Sequence, residues 1–479
     1  MVKRTIIFLI IGIVITIYSC ATNPVTGKKQ LMLISEKQEI SIGKKSDKEI
    51  RKEYGVYKFK DLNSYINYVG NRLIQHVHRK NLKYHFTIID SPVVNAFAVP
   101  GGYVYITRGI LAYINNEAQL ASILGHELGH INARHSANMI SKQILFNIGL
   151  GIAYATSKDF RKYAGVALIA GNLLFLKFSR NDEYQADELG VEYATLSGYN
   201  TYEMAKFFKT LERIEKRAGF HLPEWFATHP SPPHRIEKVK KLTAYWQKKS
   251  GLKKFVINRN EYLIHIDGIL FGKDKRYGYV EENTYYHPKM RFFFKFPKGW
   301  KLTDTKNYIL IANPKIKDIQ IIITVTNDLH HIAIEKFLKR TPGRLIFMKN
   351  LKINGNDATE ILKYVKFNGK EFAVKTYFID YNDKVFIFNC KVPLELFLLY
   401  LKKISMPAET FKKLTDPKKI NVKNKYIKVV KAEKTAPLKY FLKKYHIPKK
   451  EYKDIALING IYEDTIIKKG ELFKIILNF

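Results

Sequence analysis

His126 and His130 stand four apart, with Glu127 between them, in the run Gly125-His126-Glu127-Leu128-Gly129-His130. On an α-helix, residues i and i+4 share a face one turn apart, so both imidazoles can reach a single metal ion. Glu127, next to the first histidine, then points beside the metal. A carboxylate there can hold a water molecule and take its proton. The flanking residues Ala118, Leu120, Ala121, Ile123, Leu124, Leu128 and Ile131 are apolar. They indicate a buried helix over residues 117–141, and buried paired histidines demand a partner. The competing reading, a surface helix with two solvated histidines, fits these flanks poorly.

A catalytic zinc keeps three protein ligands and one open position, so a third ligand is needed. His135 lies five residues past His130, about 140° round a continuous helix, and is rejected as a ligand. The metzincin spacing is excluded as well, because Ala133 and Ser136 stand where Gly and His would be required. Downstream, Glu183 and Asp187 are again four apart on a helical stretch. One could ligate the metal while the other orients a histidine through its free ring N–H. An acidic pair on a helix is also the usual form of a solvated face.

These blocks together resemble the bacterial HtpX- and BepA-type zinc metallopeptidases, relatives of the CAAX prenyl endopeptidases. Asn95-Ala96-Phe97-Ala98-Val99-Pro100-Gly101-Gly102 resembles the strand before the family's active-site helix. Gly125 to His130, followed by Ala133-Arg134-His135-Ser136, resembles its zinc helix and continuation. Ser179-Arg180, Glu183, Ala186 and Asp187 resemble its third-ligand helix. Thr228-His229-Pro230-Ser231-Pro232-Pro233-His234-Arg235-Ile236 resembles its late loop, and residues 21–33 resemble the opening of its mature lipoproteins.

The resemblance covers about residues 20–250. It implies a mainly helical, gluzincin-type domain with a small edge sheet and one zinc ion per chain. It implies Glu183 as the third ligand beside His126 and His130, and Asp187 as the carboxylate that orients a ligand. It also places His229 near the zinc, where it could stabilise a developing oxyanion or close over the metal as a further ligand. Arg235 could stabilise the same charge or pair with a structural carboxylate. The expected activity is that of a zinc-dependent endopeptidase with Glu127 as general base. The alternative is a largely latent zinc protein that acts as a chaperone or assembly factor for outer-membrane proteins. An extended substrate would add a strand at an edge near residues 95–98, with Gly101 and Gly102 turning the chain into Tyr103-Val104-Tyr105-Ile106.

The N-terminus reads as an address. Lys3 and Arg4 precede an apolar run over residues 6–18, too short to span a bilayer but suited to a signal peptide over residues 1–19. Ile17-Tyr18-Ser19-Cys20 resembles a bacterial lipobox, which would make Cys20 the lipidated first residue of the mature chain. An ordinary signal peptide with an incidental cysteine is the alternative. Ala21 after the cysteine suggests, by analogy, sorting to the outer membrane. The expected location is therefore the cell envelope, lipid-anchored on the periplasmic side. The expected substrates there are unfolded or misfolded envelope proteins.

Composition sets the remaining bounds. The chain has 479 residues, which calls for two or three domains. Its formal net charge of +38 raises nucleic acid as a partner. The lysines, however, are spread along the whole length with much Ile, Tyr, Phe and Asn, and no nucleic-acid motif is present, so no nucleic-acid partner is expected. The two cysteines, Cys20 and Cys390, are too few for a disulfide framework. Between the motifs, residues 144–156 and 163–176 are apolar but short of a span. They suggest a helical hairpin that is buried or leans on a membrane.

After residue 250 the pattern becomes α+β: a linker over 251–285, then an accessory domain over 286–410. Strands are expected over 291–296, 308–312, 318–326, 371–380 and 384–391, with Asn382-Asp383 as a hairpin turn. Cys390 reads as a core residue. The tail, 424–479, has the order strand, helix, helix, strand and resembles a LysM-like module. That would make peptidoglycan a partner; a small structural cap is the alternative.

Overall fold

The computed structural model describes residues 20–59, 61–156, 178–218, 225, 228, 229 and 234–478. The expected signal segment and the second apolar stretch, 163–176, lie outside the described residues. The chain divides into two compact units. One holds residues up to Lys273 together with those from Lys425 onward, and the other is Asp274–Asn424.

The first unit is mainly helical around a three-stranded sheet. His85–Ile89 and Ala96–Val99 flank Tyr103–Thr107, the first pairing parallel and the second antiparallel. Ala96–Val99 is thus an edge strand. Gly101 and Gly102, at φ +82° and +95°, make the tight turn into Tyr103. No Cβ fits there: one on Gly102 would sit 2.1 Å from the Lys83 carbonyl oxygen.

Against this sheet lies the histidine helix, Glu117–Asn132, buried along its whole length. Its N-cap is Asn116, whose side chain accepts from Gln119 N. The helix expected over 117–141 is broken. Arg134 adopts φ +59°, and a second helix, His135–Thr156, starts immediately after it. Arg134 holds this left-handed conformation because its guanidinium is tied to Glu39 Oε2 at 2.9 Å and to the Ile34 carbonyl at 3.2 Å. Three more described helices follow in the sequence: the acidic helix Arg180–Leu196, then Tyr202–Ala218 and Arg235–Ser250. The acidic helix starts with a capping box between Ser179 and Asp182. No described helix is long and apolar enough to cross a membrane.

Two boundaries differ from expectation. Residues 251–285 are not a linker: they contain the helix Arg259–Ile266 and the strand Leu270–Phe271. Tyr262, Leu263 and Ile266, spaced to share a helix face, are fully buried in the first unit's core. Nor is the tail a separate module. Its order is strand Lys425–Lys431, helices Leu438–Lys444 and Tyr452–Ile458, and strand Leu472–Asn478. Its side chains Ile427, Phe441, Ile455 and Ile475 share one continuous core with Leu120, Leu124 and Phe207. Lys474, wholly buried, donates to the carbonyls of Ala112 at 2.7 Å and Ile114 at 2.8 Å.

The second unit is built on a seven-stranded antiparallel sheet. Its order is Lys301–Asp304, Ile309–Ala312, Gln320–Thr326, Lys384–Pro393, Lys370–Tyr381, Asn356–Phe367 and Arg344–Ile353. Asn382 and Asp383, both at positive φ, make the expected turn. Cys390 is fully buried in this core, where burial pushes its thiol up to about 12.

Candidate active site

Glycines bring the histidine helix and the acidic helix into contact. A Cβ on Gly125 would lie 2.9 Å from the Gly190 carbonyl oxygen, and one on Gly129 would lie 2.9 Å from that of Ala186. Only backbone-to-backbone packing of this kind sets the side chains of both helices against each other at short range. His126, Glu127 and His130 then meet Glu183 and Asp187 in a site with no solvent exposure to speak of.

Four side chains converge. His126 Nε2 is 3.1 Å from His130 Nε2 and 3.3 Å from His229 Nδ1. Glu183 Oε1 is 3.0 Å from His229 Nδ1 and 3.4 Å from His130 Nε2, while Glu183 Oε2 is 3.6 Å from His126 Nε2. One donor atom from each of His126, His130, Glu183 and His229 lies within 4.8 Å of all the others, so the group could hold a metal ion. Ligands bonded tetrahedrally to zinc at about 2.0–2.1 Å lie roughly 3.3–3.4 Å apart, close to the spacings seen here. Glu127 Oε1 and Oε2, Glu183 Oε2 and His229 Nε2 are buried without hydrogen-bond partners, as atoms reserved for a cation and a substrate would be.

Asp187 stands behind His126. Its Oδ1 is 3.0 Å from His126 Nδ1, and Arg235 grips it with two bonds, Nε to Oδ2 at 2.6 Å and Nη2 to Oδ1 at 2.7 Å. Arg235 Nη1 also reaches within 3.4 Å of Glu183 Oε2, and the guanidinium lies 4.2 Å above the Phe208 ring. Thus Arg235 pairs with carboxylates on the acidic helix, and Asp187 lies within hydrogen-bond distance of a converging histidine. His229 sits next to Glu127, its Nε2 3.6 Å from Glu127 Oε1. The Trp225 ring stacks on His229 at 4.5 Å.

The electrostatics follow from burial and charge. Burial pushes Glu127 above the ordinary carboxylate value, against the pull of His229 and His126. Burial acts on Glu183 in the same sense but is outweighed by the charges of His229 and Arg235, which hold it well below. Asp187 is likewise held low, by Arg235 and His126. His130 falls well below the ordinary histidine value because burial disfavours its cation. His229 is raised, since Glu183 and Glu127 outweigh the effect of burial.

The break at Arg134 changes the position of His135. It is no ligand of this group, but neither does it face away: its Nδ1 is 2.9 Å from His130 Nδ1. Its Nε2 is 2.9 Å from Gln185 Oε1. Spacing on a continuous helix hides this contact and with it Gln185, while no local signal marks Trp225 as a neighbour of the site. Cys20 lies elsewhere, in a short strand, Cys20–Thr22, paired with Lys29–Leu31.

With this geometry in view, comparison with known proteins gives a consistent class. Residues 60–243 match the model of Peptidase family M48. The chain is 29% identical over 231 residues to "Beta-barrel assembly-enhancing protease" of Escherichia coli K12, covering 46% of each chain. It is 31% identical over 189 residues to the protein of the same name in Yersinia pestis, covering 37% of this chain and 38% of that one. It is 30% identical over 158 residues to "Mitochondrial metalloendopeptidase OMA1" of Arabidopsis thaliana, covering 33% and 31%. The chain spans less than half the length of these relatives.

Proposed function

We propose that the chain is a zinc-dependent endopeptidase, with His126, His130 and Glu183 as metal ligands and Glu127 as general base. The observation that carries this reading is the Glu127 carboxylate: buried, without a hydrogen-bond partner at either oxygen and set beside four converging donor atoms. A carboxylate left unsatisfied in a folded interior costs stability, so a catalytic use is the economical explanation. Zinc in this group would acidify water and polarise the scissile carbonyl. Glu127 takes the proton of the attacking water and passes it to the leaving amine. His229 Nε2, without a hydrogen-bond partner and 3.6 Å from Glu127 Oε1, is placed to donate to the developing oxyanion. Asp187 and Arg235 keep the His126 ring in register. The edge strand Ala96–Val99 offers backbone groups to an extended substrate.

On this reading the substrates are unfolded or stalled proteins of a bacterial cell envelope, in keeping with the similarity to the bacterial beta-barrel assembly-enhancing proteases. Lipidation at Cys20 would hold the enzyme at the membrane, on the periplasmic side of the outer membrane. The tail, βααβ in order like a LysM module, is the candidate contact to peptidoglycan.

One observation favours a second reading. His229 is fully buried and its Nδ1 lies within 3.3 Å of both His126 Nε2 and Glu183 Oε1, so it can act as a fourth ligand that closes the site. The chain would then be largely latent and serve as a chaperone or assembly factor. Casein cleavage by zinc-loaded wild type and His229→Ala separates the two. Loss of cleavage in the variant assigns His229 to catalysis, while a gain assigns it to gating. No cleavage by either protein, with zinc bound, would remove the peptidase reading.

A further inference from the structure

The two histidines four apart are held by different partners. His126 Nδ1 faces Asp187, an anion anchored by Arg235. His130 Nδ1 faces His135 instead, at 2.9 Å, with the two rings 5.0 Å apart and inclined at 72°. The left-handed Arg134 turns His135 back toward the helix it has just left. On its far side, His135 Nε2 meets Gln185 Oε1 at 2.9 Å; Asp182 Oδ1 is 3.6 Å from the same nitrogen, beyond hydrogen-bond distance. The Phe178 ring stacks on His130 at 3.9 Å and closes the remaining face. Gln185 lies on the acidic helix between Glu183 and Asp187, so one turn of that helix supplies a candidate ligand and an anchor for each histidine.

We propose that His135 is a positioning residue that fixes the tautomer and ring orientation of His130, with Gln185 as its anchor. The inference rests on reading His130 as a metal ligand. The sequence of donors is determined by the chemistry of the outermost group. An amide oxygen only accepts, so His135 Nε2 carries the hydrogen it donates to Gln185 Oε1. A neutral imidazole protonated at Nε2 has a lone pair at Nδ1, which accepts from His130 Nδ1–H. His130 therefore keeps its Nε2 lone pair free, and Nε2 is the atom that points at His126 and Glu183. Without His135, the buried His130 Nδ1 loses its partner, and the ring is free to place its hydrogen on Nε2, where it would oppose a cation.

The test uses the chain from Cys20 onward and two readouts. One is zinc affinity by chelator competition. The other is the pair of ¹⁵N imidazole shifts of His130 in metal-free protein, assigned with His130→Ala. Wild type is expected to show the Nδ1–H tautomer. His135→Phe should shift His130 toward Nε2–H and weaken zinc binding roughly 10–100-fold. His135→Asn, whose Oδ1 takes the place of Nδ1, should restore both, which a purely space-filling role would not require. Gln185→Leu should move both readouts in the same direction by less, and it serves if His135→Phe does not fold. A His135→Phe protein with wild-type zinc affinity and unchanged His130 shifts overturns the positioning role alone. A wild type that binds no zinc overturns the metal reading of the site, and the positioning role with it.

Discussion

Gly190 lies so close to His126 that a Cβ at position 190 would come within 2.8 Å of the His126 backbone nitrogen and 3.1 Å of its Cα. Backbone cannot yield as a flexible side chain can, so the two helices would have to part. Gly190→Ala is therefore expected to destabilise the first unit by about 1–3 kcal/mol. It should also weaken metal binding, because His126 would move away from Glu183. Thermal unfolding and zinc titration on the same sample check both effects. Unchanged zinc affinity would show that the close approach does not set the site.

The Asp187–Arg235 pair is buried and doubly bonded, so removing one partner strands the other charge. Asp187→Ala is expected to cost about 3–5 kcal/mol. Arg235→Met should do the same by leaving two carboxylates, Asp187 and Glu183, without their cation. Because the two residues act as a unit, the double variant should be less unstable than the sum of the singles. Denaturant titration of all four proteins measures this, and simple additivity would argue that the pair is not coupled.

The second unit is an insertion whose two ends meet. Phe271 pairs with Lys425 and Leu270 with Tyr426, in antiparallel register. Replacing Asp274–Asn424 by a short Gly-rich hairpin turn should leave a soluble protein that still binds zinc. Deleting the tail from Lys425 instead should abolish folding, because it removes part of the first unit's own core and the buried Lys474. Circular dichroism and zinc stoichiometry of the two deletions decide the matter, and a folded tail-less protein would contradict the shared core.

Glu192 gives a pH dependence with a definite sign. Burial, helped by Glu188 and opposed by Lys249, pushes its carboxyl up to about 7. Its value in the unfolded chain is about 4.3. A raised folded value favours the folded state fully below the unfolded value and loses that contribution as pH rises through the folded value. Glu192→Gln should therefore gain melting temperature relative to wild type at pH 8, with the gain shrinking toward pH 4. A pH-independent difference would show that Glu192 titrates normally.

How much of this was readable in the sequence depends on the range of each contact. His126, Glu127 and His130 follow from helix geometry alone, since their spacing and apolar flanks are local. Spacing alone leaves Glu183 and Asp187 equivalent, and only the resemblance distinguishes them, because nothing local links two helices separated by so much chain. His135 faces away only on a continuous helix, which the left-handed Arg134 interrupts. A non-glycine residue at positive φ, such as Arg134, leaves little trace when its stabilising partner, Glu39, lies 95 residues away. In the second unit, Arg344–Ile353 and Asn356–Phe367 are strands beyond those expected from the sequence. The first is an edge strand, mostly exposed and lysine-bearing, with an irregular register near Phe347. The tail's own order was clear from periodicity. Its docking was not, because a lysine destined for two carbonyls, Lys474, looks like any other lysine.

The most direct test compares wild type with Glu127→Gln, both loaded with zinc, on an unfolded protein such as casein. The substitution keeps the shape of the side chain and removes the base, while the four converging donors stay in place. The expected result is one zinc per chain in both proteins and cleavage by wild type alone. Cleavage by Glu127→Gln at the wild-type rate would contradict the assignment of Glu127 as the general base.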